Sequence, residues 1–159
     1  MRQLCLLLAA SLLLGTTYAQ TLTVSGAVAK PLSLEPAAIK AMPHTEVTSK
    51  DRDGQLHRYS GVPLIDLLKQ AGVKTGSELR GKQLLNYLVV KAADGYEVVF
   101  SLPELDPELA TRTILLADSA DGAALPTGTG PYRIIVPDEK KPTRWVRGVI
   151  SLDLRSANP

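Results

Sequence analysis

Cysteine is all but missing from this 159-residue chain: Cys5 is the only one, and it lies at the start of an N-terminal apolar run. The rest of the chain therefore has no disulfide, no thiolate nucleophile and no sulfur ligand for a metal. Histidine is nearly as scarce. His44 and His57 are the two imidazoles, and neither sits in a G-x-S-x-G-type elbow, which argues against a hydrolase built on a nucleophile and an adjacent base. An excess of one charge is lacking as well, since 18 Lys+Arg face 16 Asp+Glu. That balance favours no nucleic-acid role. Beyond residue 19 no stretch approaches eighteen uninterrupted apolar residues, so no membrane span is expected. Repeats, heptads and low-complexity segments are absent too, which argues against solenoids and coiled coils.

What the chain does have begins with a leader. Arg2 precedes the apolar run from Leu4 to Leu14, and Thr17-Tyr18-Ala19 gives the small-x-small pattern that suits signal peptidase. Residues 1–19 read as a cleavable signal peptide, which places the mature protein, starting at Gln20, in the periplasm or the medium. Cys5 lies at the head of the apolar run, where a lipoprotein anchor would have it follow. Residues 20–159 then make one soluble domain of about 140 residues, enough for a single core without staples.

Short strand-like runs divided by turn residues dominate this domain. Residues 21–24 alternate as a strand, and Ser33 is expected to cap a helical turn over 37–40, with Pro36 in its first turn and Pro43 after its end. Runs 45–50 and 55–60 flank Asp51-Arg52-Asp53-Gly54 and predict a β-hairpin. The clearest helix follows, with Leu64, Leu67, Leu68 and Ala71 at i, i+3, i+4, i+7 spacing, Pro63 near its start and Gly72 closing it. Residues 84–92 read as a strand buried on both faces, which turns at Asp94-Gly95 into 96–101 to make a central ribbon. A short helix or turn is expected within 102–109, strands at 113–117 and 132–136, and loops at 122–130 and 137–143. Residues 149–155 alternate, with Ile150, Leu152 and Leu154 inward.

Few side chains here carry an obvious chemistry. His44 and Glu46, two apart on a strand, could face one metal, but two ligands do not make a site. Asp51-x-Asp53-Gly54 resembles the start of a calcium loop yet lacks the third acid and the distant glutamate. Gly128-Thr129-Gly130 lacks the lysine and helix of a phosphate cradle. The run 138–147 is richer: Lys140, Lys141, Arg144 and Arg147 surround Trp145, the only tryptophan, and Arg133 lies shortly before on a strand. Guanidinium groups beside an aromatic ring can form an anion clamp, because each offers a planar fork of donors. The same run also reads as a solvated loop ending in a core tryptophan.

Taken in order, these segments resemble the molybdopterin-binding domain of sulfite-oxidase-like oxidoreductases, in particular its short exported single-domain members. The residues that carry the likeness are Gly61-Val62-Pro63-Leu64-Ile65-Asp66-Leu67-Leu68 with Ala71-Gly72-Val73, then Ala93-Asp94-Gly95-Tyr96 and Val99-Phe100-Ser101-Leu102, Glu104-Leu105-Asp106-Pro107, Leu116-Ala117, Gly130-Pro131-Tyr132-Arg133, Val136-Pro137 and Arg144-Trp145-Val146-Arg147. The resemblance implies an α+β fold, a mixed β-sheet or barrel-like body with short peripheral helices, and a pocket for an anionic pterin. His57, Arg133, Lys141, Arg144 and Arg147 are its candidate cofactor- or anion-binding residues. It also implies a cysteine ligand to molybdenum within Thr45–Lys50, where the chain has none, and the hydroxyls of Thr48 and Ser49 are no substitute for a soft thiolate. The leading expectation is a divergent or non-catalytic member that binds a small anion, a pterin-like ligand or an envelope protein through the cofactor-type pocket. Two others stand beside it: an active molybdopterin oxidoreductase without cysteine ligation, and a structural or accessory module of a secreted complex.

Overall fold

Alternating apolar residues place the start and the end of the domain side by side. In the computed structural model, which describes residues 20–157, strand β1 (Leu22–Gly26) buries Leu22 and Val24 and turns Thr23 outward. It runs parallel to the last strand, β10 (Val149–Ser156), with Thr23 opposite Ser151 and Gly26 opposite Leu154. Together with β2 (Leu32–Leu34), β5 (Asn86–Ala92) and β6 (Glu97–Ser101) they form a five-stranded sheet in the order β2-β1-β10-β5-β6. The expected signal peptide at 1–19 lies outside the described residues.

A second sheet carries the candidate site. The hairpin expected around Asp51–Gly54 is there, joining β3 (Thr45–Lys50) to β4 (Leu56–Pro63), with Thr45 opposite Gly61 and Lys50 opposite Leu56. Gly54 takes φ +80°, and the Asp53 carboxylate accepts from the Gln55 amide at 2.8 Å. This is how Asp-Gly chemistry sets a tight reversal. β4 pairs with β7 (Leu115–Ala120), which turns through Asp121 and Gly122, both at positive φ, into the two-residue β8 (Ala123–Ala124). β9 (Arg133–Ile135) joins the other end of β7. Buried residues of both sheets belong to one core cluster.

Three short helices lie on these sheets. α1 (Pro36–Lys40) starts at Glu35 and not at Ser33, which is taken up by β2. α2 (Leu64–Gln70) has the expected bounds, burying Leu64, Leu67, Leu68 and Ala71 completely and ending at Gly72 with φ +80°. α3 (Leu102–Leu105) opens with a capping box in which Ser101 and Glu104 satisfy each other's backbone amides.

Three further expectations are corrected. The fold is no closed barrel, because each sheet has open edges among the described residues. Leu84 and Leu85 belong to a 3-10 turn (Gly81–Leu85) and stand 46% and 45% exposed, so the buried strand starts only at Asn86. Its partner β6 is an edge strand, and β10 takes the central place expected for the 84–101 ribbon. A register shift between Val149 and Ser151 also breaks the alternation of β10, burying Val149 and leaving Ile150 half-buried. One inserted residue changes which face its neighbours occupy.

Candidate functional site

Hairpin β3–β4 presents Asp51 at its turn, and β9 brings Arg133 to it across 82 residues of sequence. The two form a bidentate pair, with Arg133 Nη1 donating to Asp51 Oδ2 at 2.7 Å and Nη2 to Oδ1 at 2.9 Å. The Tyr59 hydroxyl also donates to Oδ2, at 2.7 Å, and the Arg52 amide to Oδ1, at 2.7 Å. Bonding to Arg133 is the main reason the Asp51 carboxyl is held well below the usual carboxylate range. Burial, reinforced by its bond to Asp51, pushes the Tyr59 phenol up.

Aromatic rings enclose the same guanidinium. Arg133 Cζ lies 5.2 Å from the Trp145 ring centroid and 5.8 Å from that of Tyr59, while the two rings meet edge to face at 5.7 Å. Trp145 is fixed in turn by its indole N–H, which donates to the Val136 carbonyl at 3.1 Å. Arg133 is 4% exposed, and its Nε–H is buried without a partner among the described residues. Such a donor is uncommon in a folded protein.

Opposite Ser49 in the hairpin register stands His57, whose ring nitrogens both meet carboxylates. Nδ1 lies 2.6 Å from Asp121 Oδ2 and Nε2 lies 2.9 Å from Asp53 Oδ2. Two acceptors require two N–H donors, so this geometry belongs to the imidazolium, and the bond to Asp121 is the chief cause of a raised pKa. Asp121 also accepts from the Arg58 amide at 2.9 Å, which ties the β7–β8 turn to β4.

These groups line a cavity of about 340 Å³ together with Arg147, an exposed guanidinium for which no side-chain partner is found among the described residues. The structure thus brings His57, Arg133 and Arg147 of the five candidate residues to one place. Lys141 is exposed and lies outside this lining. Arg144 also lies elsewhere: its Nε donates to Glu139 at 2.7 Å, its Nη1 faces both Glu104 oxygens at 3.3 Å, and its Cζ sits 4.5 Å from the Phe100 ring centroid. It fastens the 137–143 loop to β6 and α3. Asp51, Tyr59 and Asp121 are functional neighbours that the sequence reading missed. The Asp51-x-Asp53-Gly54 turn was the available signal, because a turn rich in acids can pair with a buried strand cation such as Arg133.

A molybdenum pterin does not fit this donor set. The strand expected to supply sulfur carries Ser49, 7% exposed, whose oxygen is a hard ligand. Asp51, Asp53 and Asp121 line the cavity, and Asp51 already occupies both terminal nitrogens of Arg133. These carboxylates take up the charges of Arg133 and His57, so Arg147 alone would have to meet the several charges of an anionic pterin. Glu46 is near Arg58 at 3.8 Å and His44 bonds Asp118, and no cluster of three or more His, Cys, Asp or Glu among the described residues is arranged to hold a metal.

No protein-family model and no curated protein sequence matches the chain. Among solved structures it is similar to the sulfane dehydrogenase SoxCD from Paracoccus pantotrophus, with a TM-score of 0.68 and 23% sequence identity over 87% of this chain. The match covers 39% of the SoxCD chain, so this protein spans about two-fifths of that length. At such identity the likeness is one of fold.

Proposed function

We propose that this chain is an exported binding module on a molybdopterin-oxidoreductase-like fold, which takes a small anion in the Arg133–Arg147 cavity and carries out no redox chemistry there. The observation that carries the reading is Arg147, an unpartnered guanidinium among the described residues in a cavity where Arg133 and His57 are already matched to carboxylates. The free N–H groups of Arg147 suit a sulfate, a phosphate or a single carboxylate, which charge-assisted bonds would hold. They do not suit the larger demands of a metal-bearing pterin. Placement in the periplasm or the medium rests on the leader at 1–19.

Calorimetric titration with sulfate and with phosphate tests this. Saturable binding is expected, and Arg147→Ala weakens it by about 1.5–3 kcal/mol, the scale of a hydrogen bond to a charged group, or roughly 10- to 150-fold in Kd. Equal affinity in the variant, or no saturable binding to the unaltered protein, contradicts the reading.

A further inference from the structure

Most edges of the two sheets are short or covered. β2 and β9 have three residues each and β8 has two. β6 is crossed by the segment 137–144: the Tyr96 hydroxyl, just before the strand, donates to the Thr143 carbonyl at 2.9 Å, and Arg144 Nη1 reaches the Val99 carbonyl at 3.4 Å. β3 is different. It has six residues and ends its sheet, and on its outer side no backbone group meets a partner among the described residues.

The pairing with β4 decides which backbone groups point outward. The Asp51 amide donates to the Gln55 carbonyl at 3.0 Å, and bonded pairs alternate along an antiparallel ladder. Ser49 and Val47 are therefore bonded to β4, while Lys50, Thr48 and Glu46 turn their N–H and C=O groups away from it. Arg58, opposite Thr48, agrees with this: Asp121, on the β7 side, takes both its amide, at 2.9 Å, and its carbonyl, at 2.7 Å. Side chains alternate in the same way, with Glu46, Thr48 and Lys50 exposed on one face, Val47 half-buried and Ser49 buried on the other. Lys50 has no side-chain partner among the described residues. Glu46 has only Arg58, at 3.8 Å and largely exposed, a pair of the kind that contributes little.

A strand with this pattern is complementary to itself. When a second copy lies antiparallel along the edge with Thr48 facing its equivalent, Glu46 faces the partner's Lys50 at both ends of the pair. In that register the outward N–H and C=O groups of Glu46, Thr48 and Lys50 all meet their counterparts. Threonine pairs and opposite charges are favourable across strands, and like charges directly opposite are not.

We propose that β3 is the dimerisation edge of this protein: two copies join through an antiparallel β3–β3 pair centred on Thr48, which continues the β3-β4-β7-β8 sheet across a two-fold axis. An open edge can accept many strands. The charges select a second copy of this chain, because a matching strand must carry an acid and a cation four residues apart in the same order, as Glu46 and Lys50 do.

Sedimentation velocity of the protein from micromolar to millimolar concentration tests this, and a reversible monomer–dimer equilibrium is expected. Glu46→Lys and Lys50→Glu, both at exposed positions, each set like charges opposite one another at both ends of the pair. Each is expected to weaken the dimer by at least about tenfold. An equimolar mixture of the two variants sets two lysines against two glutamates, and it is expected to dimerise within about threefold of the unaltered affinity. Thr48→Pro removes an outward N–H that β4 does not use, and is expected to abolish the dimer while the circular dichroism spectrum stays native. A protein that remains monomeric over this range overturns the proposal. So do single charge variants that dimerise as the unaltered protein does, a mixture that stays monomeric, and a Thr48→Pro dimer of undiminished affinity.

Discussion

Asp51 grips Arg133 through both carboxylate oxygens, at 2.7 and 2.9 Å, and so ties the β3–β4 turn to a strand 82 residues further along the chain. Removing the acid strands a guanidinium that is 4% exposed and also leaves the Tyr59 hydroxyl without its acceptor. Breaking a buried pair from one side costs about 3–5 kcal/mol. Asp51→Ala is therefore expected to lower the unfolding free energy by that amount, read as a lower urea midpoint at an unchanged slope. A loss below about 1 kcal/mol, the range of exposed pairs, would show the pair to be solvated.

The pH dependence of stability has two limbs. Asp51, whose folded-state pKa is depressed, contributes stability that is present above its ordinary value of 3.8 and is lost as pH falls toward the lower folded value. His44 and His57 act in the opposite direction. Both are raised from 6.5, by Asp118 and by Asp121, so their contribution is complete below 6.5 and is lost as pH rises through the raised folded values. Thermal unfolding followed from pH 6 to 9 is expected to show a declining midpoint, and the double variant His44→Gln, His57→Gln to flatten that decline. A midpoint that rises with pH across this window contradicts the imidazolium assignment.

Gly61 tests the packing of the second sheet. A side-chain carbon there would overlap the Leu116 carbonyl and the Ala117 backbone, at the point where the β4–β7 register shifts. Backbone cannot yield as a side chain can, so Gly61→Ala is expected at the severe end of overpacking, about 3 kcal/mol. Chemical denaturation measures it, and a cost under about 1 kcal/mol would mean that the two strands separate more readily than the structure shows.

Much of the local structure was legible because it obeys short-range rules. Asp53-Gly54 specified the β3–β4 turn, and the spacing of Leu64, Leu67, Leu68 and Ala71 specified α2. What escaped was long-range. The parallel pairing of β1 with β10 unites the two ends of the domain, and no local pattern encodes it. The bulge at Ile150 belongs to another long-range pairing, that of β10 with β5. At the site, the cations near Trp145 drew attention, but their partners could not be read: Asp51 lies 82 residues from Arg133, and Asp121 lies 64 from His57. Arg144 looked equivalent to Arg147 in sequence, yet the turn between them sends one to Glu104 and Glu139 and the other to the cavity.

Ion pairs within the chain fill the charge requirements of the pocket in which the sequence resemblance implied a pterin cofactor. Elemental analysis for molybdenum and tungsten, with mass detection of released pterin, on protein purified from its native compartment tests that claim most directly. The account predicts neither metal nor pterin in stoichiometric amount. Stoichiometric molybdenum together with pterin would contradict it and would require an oxygen ligand in the neighbourhood of Ser49.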